Sequence, residues 1–319
     1  METKEVIPAG QAGSLASFAP RVQEYARASR ASNTLRGYRS DWTNFATWCR
    51  SQGFVALPAL PETVAAYLTT VADSGLKAGS IQRRVSAISA NHTANAFDSP
   101  TLKAAVKLTL AGIRRKLGTH QEGKTPVLTV DIAAMVATVP DSLIGKRNRA
   151  LILLGYAGAL RRSELVGIDV SDLTFSADGI RLNIRKSKTD QERAGQVIGI
   201  SYGGSLCPVH ALEAWLQASG ITTGPVFRGV TRHGHVHAER LTDQVVASVV
   251  KARSAAAGLD PKKYSGHSLR AGLVTQAAMN DIPEHRIMRQ TRHKSSGMVR
   301  KYIREANLFR DNVSGRVGL

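Results

Sequence analysis

Residues 267–302 read HSLRAGLVTQAAMNDIPEHRIMRQTRHKSSGMVRKY. Four side chains of this stretch can act in catalysis: His267, Arg270, His293 and Tyr302, which are separated by steps of 3, 23 and 9 residues. A step of 3 on a helix places His267 and Arg270 on one face. Two imidazoles, a guanidinium and a phenol are together suited to attack on a phosphodiester. The stretch therefore indicates a nucleophile with its phosphate clamp.

The chemistry of a phosphodiester explains why these residue types matter. Its substitution spreads negative charge over the non-bridging oxygens, and arginine can donate two parallel hydrogen bonds to one phosphate. Histidine is a donor that also moves a proton near neutral pH. Tyrosine can attack phosphorus and retain the energy of the broken bond in a covalent intermediate. Tyr302 is thus the candidate nucleophile.

The charge of the whole chain points to a polyanionic partner. Its 319 residues include 43 Lys+Arg against 24 Asp+Glu, a formal net charge of +19, with a pI near 10.4 and a mean hydropathy of −0.15. The basic residues are distributed through the chain, so we expect a polyanion that contacts much of the surface, with nucleic acid as the leading candidate. Charge alone leaves open a ribosome-associated factor or a protein that binds anionic lipid.

Cysteine usage and hydropathy indicate the compartment. Cys49 and Cys207 are the two cysteines; they imply no disulfide framework and fit a reducing compartment. The N-terminus lacks the apolar core of a signal peptide, and no apolar run is long enough to span a bilayer. We expect a cytoplasmic, nucleoid-associated protein without a membrane partner.

The N-terminal part of the chain predicts a helical bundle. Residues 1–13 are predicted to form a disordered leader and residues 14–118 an all-helical domain, with helices starting near Leu15, Ser32, Pro61, Ser80 and Pro100. We expect the fourth and fifth helices to lie against duplex DNA, and the alternative is a solvated helix face. The predicted DNA contacts are Arg83, Arg84, Lys103, Lys107, Arg114, Arg115 and Lys116.

The C-terminal part predicts a mixed α+β domain. Residues 119–126 are predicted to be a linker, residues 127–305 a second domain and residues 306–319 a tail. Helices begin the domain, and three strand-like segments follow at Val170–Phe175, Gly179–Ile184 and Val197–Ile200, which predict a small antiparallel sheet with a basic turn at 185–191. A helix from Pro208, a loop from Ser219 to about Ala238 and further helices from Leu241 complete it. The predicted fold class is mainly α.

The sequence gives little support for a metal site or for a nucleotide-hydrolysing site. His233, His235 and His237 stand at steps of two, as in a metal-binding strand, but Gly229 and Gly234 favour an exposed loop. The sequence also lacks a phosphate-cradling glycine-rich loop. We therefore expect neither a metal nor a cofactor, and no nucleotide hydrolysis.

Five sequence features together resemble the tyrosine recombinase (phage integrase) family. They are ALRRSEL at 159–165, SKTDQ at 187–191, GHSLRAG at 266–272, His293 and Tyr302, in that order along the chain. The resemblance covers about residues 129–305, and the N-terminal helices are more weakly similar to the SAM-like core-binding domain of the family. The resemblance as a whole implies a recombinase of the simple two-domain type.

The resemblance also implies a role for each residue of the phosphate clamp. Arg161 and Arg270 would hold the scissile phosphate, Glu164 would support Arg161, and His293 would donate to a non-bridging oxygen. Thr291-Arg292 stands where the family usually has Leu-Gly, so Arg292 is an alternative phosphate contact.

Proton transfer and attack would fall to the other residues. Tyr302 would attack and leave a 3′-phosphotyrosyl bond, while His267 would help to deprotonate it or orient the phosphate. Lys188 would act as general acid toward the leaving 5′ oxygen, and Lys186 competes for that role or contacts DNA. The cycle implied by the resemblance needs neither ATP nor metal.

The implied partners are double-stranded DNA with short inverted-repeat sites and three further copies of the chain, in a homotetramer on two duplexes. The tail 306–319 either docks on a neighbouring subunit or is a frayed terminus. A type IB topoisomerase or a non-catalytic DNA-binding protein is the alternative function. The target sequence, the use of accessory proteins and the choice between integration, excision and dimer resolution are left open by the sequence.

Overall fold

A computed structural model describes residues 18, 20–22, 24–25, 32–120, 123–185, 195–293, 295–310, 312–315 and 317. The chain divides into two compact units, Met1–Glu122 and Gly123–Leu319, and each unit has its own hydrophobic core. The predicted leader 1–13 lies outside the described residues. None of the helices in the described ranges combines the length and apolar character that crossing a bilayer requires.

The N-terminal unit is helical, as predicted. Its core is built from aromatic and branched side chains spaced at helical intervals, among them Phe45, Tyr67, Ile81 and Ile88, all fully buried. Pro61 stands at the first position of its helix, where the missing N–H costs nothing. The elements are α1 (Ser32–Ser51), α2 (Pro61–Asp73), α3 (Ala78–Ala94), a 3-10 turn (Pro100–Leu102) and α4 (Ala104–Leu117).

The predicted fifth helix is divided, which corrects the single helix expected from Pro100. Lys103 has an extended backbone (φ −80°, ψ 154°) between the 3-10 turn and α4. The Ser99 hydroxyl lies 2.9 Å from the hydroxyls of both Ser89 and Thr101, and Pro100 and Thr101 are buried. These contacts hold the first turn apart from α4.

The C-terminal unit is a mixed α+β unit, again as predicted. Ser142 and Ser265 begin two of its helices by accepting hydrogen bonds from backbone N–H groups. Its elements before the second hairpin are α5 (Thr129–Ala137), α6 (Leu143–Ala157), α7 (Arg162–Gly167), a 3-10 turn (Val170–Asp172), β1 (Leu173–Ser176), β2 (Gly179–Ile184), β3 (Gln196–Ser201) and α8 (Pro208–Ser219). They are followed by β4 (Arg228–Val230), β5 (Val236–Arg240), α9 (Asp243–Ala256), α10 (Gly266–Met279), α11 (Glu284–Thr291), α12 (Ser296–Ala306) and a 3-10 turn (Val313–Gly315).

The predicted antiparallel sheet is present, in the order β1-β2-β3. Alternation in β2 and β3 puts every second side chain in the core: Leu182 of β2 is paired with Ile198 of β3, and both are buried. The start of the first segment differs from the prediction, because Val170–Asp172 forms a 3-10 turn. The Asp172 carboxylate accepts the N–H of Asp169 at 2.9 Å and closes that turn.

The loop predicted from Ser219 to about Ala238 is wrong over its second half, where β4 and β5 form a short antiparallel hairpin. Strands of three and five residues, one of them centred on Gly229, are too short to show alternation in the sequence. The buried residues at the base of the hairpin hold it: the N–H of Leu241 donates to the Phe227 carbonyl at 2.8 Å. His233 and His235 are exposed between the strands and His237 is exposed on β5.

Candidate active site

Helix α10 is held close to the backbone that leads into α5. A Cβ added to Gly272 would lie 1.9 Å from the Val127 carbonyl oxygen, and the Val127 N–H donates to the Ser268 carbonyl at 3.1 Å. Glycine is required where two backbones approach this closely. The helix carries His267, which is exposed, and Arg270, which is 2% exposed.

Arg161 and Glu164 form a local ion pair at the start of α7. The Glu164 Oε1 accepts from Arg161 Nη1 at 2.6 Å, and Oε2 accepts the Arg161 backbone N–H at 2.9 Å. Glu164 is buried, whereas the Arg161 side chain keeps 19% exposure. Buried Glu164 thus fixes the Arg161 guanidinium, which stays accessible to solvent.

Arg270 is bound on both sides of its fork. Its Nη1 donates to the Ala159 carbonyl at 2.6 Å, and its Nη2 lies 3.2 Å from His293 Nε2. Ala159 has a left-handed backbone (φ 45°) between α6 and Arg161, a conformation that costs a residue with a Cβ on the order of 1 kcal/mol. Such strain is common at functional sites.

The hydrogen bonds of His293 define its tautomer. The Thr291 hydroxyl donates to the Ile287 carbonyl at 2.8 Å, so it accepts at 2.7 Å from the Nδ1–H of His293. Nε2 is then the unprotonated nitrogen and accepts from Arg270. Burial first, and then the charges of Arg270 and Arg161, lower the pKa of His293 to about 4. The ring is therefore neutral near pH 7.

Tyr302 lies on α12 beside His267. Its hydroxyl is 3.4 Å from His267 Nε2, the long end of a hydrogen bond. Val274 of α10 and Val299 of α12 are fully buried in a small cluster against which Tyr302 packs. Packing of α12 on α10 therefore sets the position of the phenol relative to the imidazole.

The site is electropositive. Arg161, Arg270 and Arg292 surround Glu164, which pairs directly with the first and the last of them. Burial first, and then the charges of Arg161 and Arg292, lower the pKa of Arg270 to about 9, so Arg270 stays protonated at neutral pH. An arrangement of this kind favours a bound anion, which would offset the mutual repulsion of the guanidinium groups.

The structure brings Arg161, Glu164, His267, Arg270, His293 and Tyr302 into one cluster. Their charges act on one another, since His267 lowers the pKa of His293 and Tyr302 raises that of Arg270. Lys186 and Lys188 lie outside the described residues. Sequence analysis missed the Thr291 hydroxyl and the Ala159 carbonyl as members of the cluster. Thr291 could have been found, because it stands where the family usually has Leu.

The structure places Arg292 differently from the DNA contact that its sequence context suggested. Its side chain is 3% exposed and its Nη2 donates to Glu164 Oε2 at 2.8 Å. Its backbone is left-handed (φ 58°, ψ 42°) and ends α11, a position that favours glycine. Burial argues against contact with DNA, and the backbone explains why glycine is usual here.

The predicted DNA contacts of the N-terminal unit fall into two groups. Five of them are exposed on α4 or immediately before it: Lys103, Lys107, Arg114, Arg115 and Lys116. Arg83 and Arg84 are paired within the unit, although the Arg83 side chain keeps 57% exposure. Arg83 Nε donates to buried Asp41 at 2.7 Å, and Arg84, whose side chain is 16% exposed, stacks 5.6 Å from the Tyr67 ring centre and donates to its hydroxyl. The placement of Arg84 corrects its assignment to the DNA surface, because its guanidinium is used in packing.

Comparison with known proteins identifies the family. The sequence model of the phage integrase family matches residues 128–308, more than half of the chain, and that of the N-terminal SAM-like domain of phage integrases matches residues 23–94. An integrase/recombinase xerD homolog of Selenomonas ruminantium is 44% identical over 296 residues, which are 91% of this chain and 86% of that protein. Tyrosine recombinase XerD of Rhizobium meliloti (strain 1021) is 27% identical over 267 residues, 78% of each chain.

Solved structures show the same fold. The Tn1549 transposon integrase in complex with transposon right end DNA has a TM-score of 0.64 at 15% identity, over 89% of this chain and 92% of that one. A lambda integrase tetramer bound to a Holliday junction has a TM-score of 0.60 at 19% identity, over 93% and 79%. The relatives are recombinases, which favours this function over a type IB topoisomerase or a non-catalytic DNA-binding protein. The chain belongs to the phage integrase family and is a tyrosine recombinase.

Proposed function

We propose that this chain cuts and rejoins double-stranded DNA at defined sites through a covalent bond between Tyr302 and a 3′ phosphate. The observation that carries the proposal is the position of the Tyr302 hydroxyl, 3.4 Å from an imidazole that can accept its proton. Arg161 and Arg270, which belong to the same cluster, provide the positive charge that a phosphorane-like transition state requires. Removing one such donor typically lowers the rate about 100- to 1,000-fold.

The first chemical step exchanges one phosphate ester for another. The Tyr302 oxygen forms a bond to phosphorus, the bond from phosphorus to the 5′ oxygen breaks, and the phenol proton passes to His267 Nε2. The leaving 5′ oxygen takes a proton from a general acid, for which the family resemblance offers Lys188. Because an ester replaces an ester, resealing by a 5′-hydroxyl of a second duplex needs no ATP and no metal.

His293 changes its protonation state when the phosphate binds, before this step. Before a phosphate binds, the ring is neutral and its Nε2 accepts from Arg270. A phosphate that binds between the arginines adds the negative charge that favours the imidazolium. His293 then takes up a proton from solvent on Nε2 and donates an N–H hydrogen bond to a non-bridging oxygen, while Arg270 turns its Nη2 to the phosphate.

The proposed partners follow from the relatives and from the charge. We infer that DNA sites with short inverted repeats are bound by a homotetramer on two duplexes, in the cytoplasm at the nucleoid. A lambda integrase tetramer on a Holliday junction supports this assembly, and the net charge of +19 supports DNA as the ligand. The exposed side chains of Leu308 and Phe309 in the tail 306–319 suit docking on a neighbouring subunit.

We assign the domains by the resemblance to the family. Residues 14–118 form the core-binding domain, residues 119–126 the linker and residues 127–305 the catalytic domain, and the tail follows. The division of the chain into two compact units, Met1–Glu122 and Gly123–Leu319, supports these assignments.

The experiment is a trapping assay on a nicked duplex that carries the site found by footprinting. The nick releases a short product, so resealing fails and a denaturant-resistant adduct accumulates. Tyr302→Phe should abolish the adduct while the dissociation constant for DNA changes little. An adduct that persists in Tyr302→Phe would contradict the assignment. Relaxation of any supercoiled plasmid, irrespective of sequence, would favour topoisomerase activity.

A further inference from the structure

Arg292 contacts the carboxylate of Glu164 and the carbonyl of Ala159. Its Nη2 donates to Glu164 Oε2 at 2.8 Å and to the Ala159 carbonyl at 3.3 Å. Each of these acceptors also binds one of the two phosphate-clamp arginines: Glu164 binds Arg161 at 2.6 Å and the Ala159 carbonyl binds Arg270 at 2.6 Å. Arg292 thus contacts the supports of both clamp residues.

This placement is unfavourable for the fold by itself. Arg292 is a non-glycine residue with φ 58°, and its Nε and Nη1 are buried without a hydrogen-bond partner in the part of the chain that the structure describes. Left-handed backbone at a bulky residue and buried unpaired N–H groups both destabilise the native state. A residue that breaks local rules in this way is expected at a functional site.

The Arg292 side chain helps to hold the Glu164 carboxylate in place. Glu164 Oε2 accepts from both the Arg161 backbone and Arg292, so the carboxylate is held from two sides and can present Oε1 to the Arg161 side chain. Without Arg292, one of these donors is lost and the carboxylate gains rotational freedom. Arg161, Arg270, Arg292 and Glu164 together carry a net charge of +2. Loss of Arg292 would lower that charge to +1.

We propose that Arg292 is a positioning residue, which fixes Arg161 and Arg270 for the phosphate by holding Glu164 and the Ala159 carbonyl. The inference rests on the proposed function, since it concerns the rate of the same cleavage step. Arg292 does not touch the phosphate itself, because its side chain is 3% exposed.

The test compares three substitutions on the full chain. Arg292→Gly removes the side chain and relieves the left-handed backbone, and Arg292→Lys keeps the charge but replaces the rigid planar fork by a flexible ammonium. Ala96→Gly is the matched control, because Ala96 is an exposed non-glycine residue with φ 60° at the end of α3. The readouts are the single-turnover rate of adduct formation at saturating protein, the dissociation constant for DNA and the thermal midpoint.

We expect Arg292→Gly to form the adduct about 10- to 100-fold more slowly, as is typical when a residue that orients a site is lost. Its DNA affinity should change less than threefold, and its thermal midpoint should not fall. Arg292→Lys should recover part of the rate, and Ala96→Gly should keep the wild-type rate. Adduct formation by Arg292→Gly at the wild-type rate, or a loss of rate that only parallels a loss of thermal stability, would overturn the proposal.

A second readout separates this proposal from the proposed function. In protein labelled with ¹⁵N-arginine, the Arg161 side-chain signals should show slow rotation and exchange in the wild type and faster exchange in Arg292→Gly. If the wild type formed no adduct through Tyr302, the proposed function would fail, yet these signals would still decide the positioning role. Unchanged Arg161 signals in Arg292→Gly would contradict it.

Discussion

At the scale of single residues, His293 is held through both ring nitrogens. Thr291 fixes Nδ1 as the protonated nitrogen, and Arg270 donates to Nε2. The sequence indicated His293 by its spacing, since the motif residues stand at characteristic steps along the chain. It could not indicate the Ala159 carbonyl, because any residue has a carbonyl and only the left-handed backbone at Ala159 brings this one to Arg270.

Thr291→Val should slow cleavage without unfolding the protein. Valine keeps the shape but removes the acceptor of Nδ1–H, and loss of one neutral hydrogen bond corresponds to about 1 kcal/mol, or roughly fivefold in rate. Single-turnover adduct formation measures the effect, and Thr291→Ser, which retains the hydroxyl, is the control. Equal rates for the valine and serine variants would show that the tautomer is set elsewhere.

The pH dependence of stability should carry the signature of His293. Its folded pKa of about 4 lies below the ordinary value of 6.5, so the unfolded chain binds the proton more strongly between these pH values. His293 therefore costs no stability above about pH 6.5 and lowers stability as the pH falls toward 4. Thermal midpoints measured from pH 7.5 to 4.5 should fall less steeply for His293→Gln than for the wild type. Parallel curves would contradict the neutral state of this half-buried ring.

At the scale of secondary-structure elements, helix starts were predictable where capping chemistry is local. Pro61 and Pro208 begin their helices as expected, because proline fits the first turn. The break at Lys103 was not predictable, since it depends on contacts of Ser99 with Ser89 of a different helix. The β4–β5 hairpin was missed because its pairing depends on Phe227 and Leu241 rather than on alternation.

The close approach of α10 to the segment before α5 makes Gly272 a critical position. Alanine normally stabilises a helix relative to glycine by about 0.5–1 kcal/mol, but here its Cβ would lie 1.9 Å from the Val127 carbonyl oxygen. We expect Gly272→Ala to lower the free energy of unfolding by about 1–3 kcal/mol through overpacking, measured by urea denaturation. Gly112→Ala is the control, since nothing lies within 4 Å of a Cβ at this helical glycine, and it should be neutral or stabilising. A stable Gly272→Ala variant would contradict the packing of α10.

At the scale of the whole molecule, net charge predicted the class of partner, and the described contacts refine which cations are available for it. Exposed residues of α4 such as Lys107 can approach phosphates, whereas Arg84 is used in packing against Tyr67. A sequence shows charge but not burial, so it could not separate the two.

The salt dependence of DNA binding should distinguish these two kinds of basic residue. Lys107→Ala should reduce the slope of log K against log salt by about 1, because each phosphate contact releases roughly one counterion, and should leave the thermal midpoint unchanged. Arg84→Ala should lower the thermal midpoint and leave the slope unchanged. Binding curves from 50 to 300 mM salt, by fluorescence anisotropy on a labelled duplex, measure both slopes. The reverse result would show that Arg84 faces the DNA.

The central claim, that Tyr302 becomes covalently joined to a 3′ phosphate, is tested most directly by mapping the trapped adduct. After nuclease and protease digestion, mass spectrometry should find one nucleotide-bearing peptide, and fragmentation should place the nucleotide on Tyr302. Labelling of the strand should show that the protein holds the 3′ end and that the 5′ end is a free hydroxyl. A nucleotide on another residue, or a protein-linked 5′ end, would contradict the account.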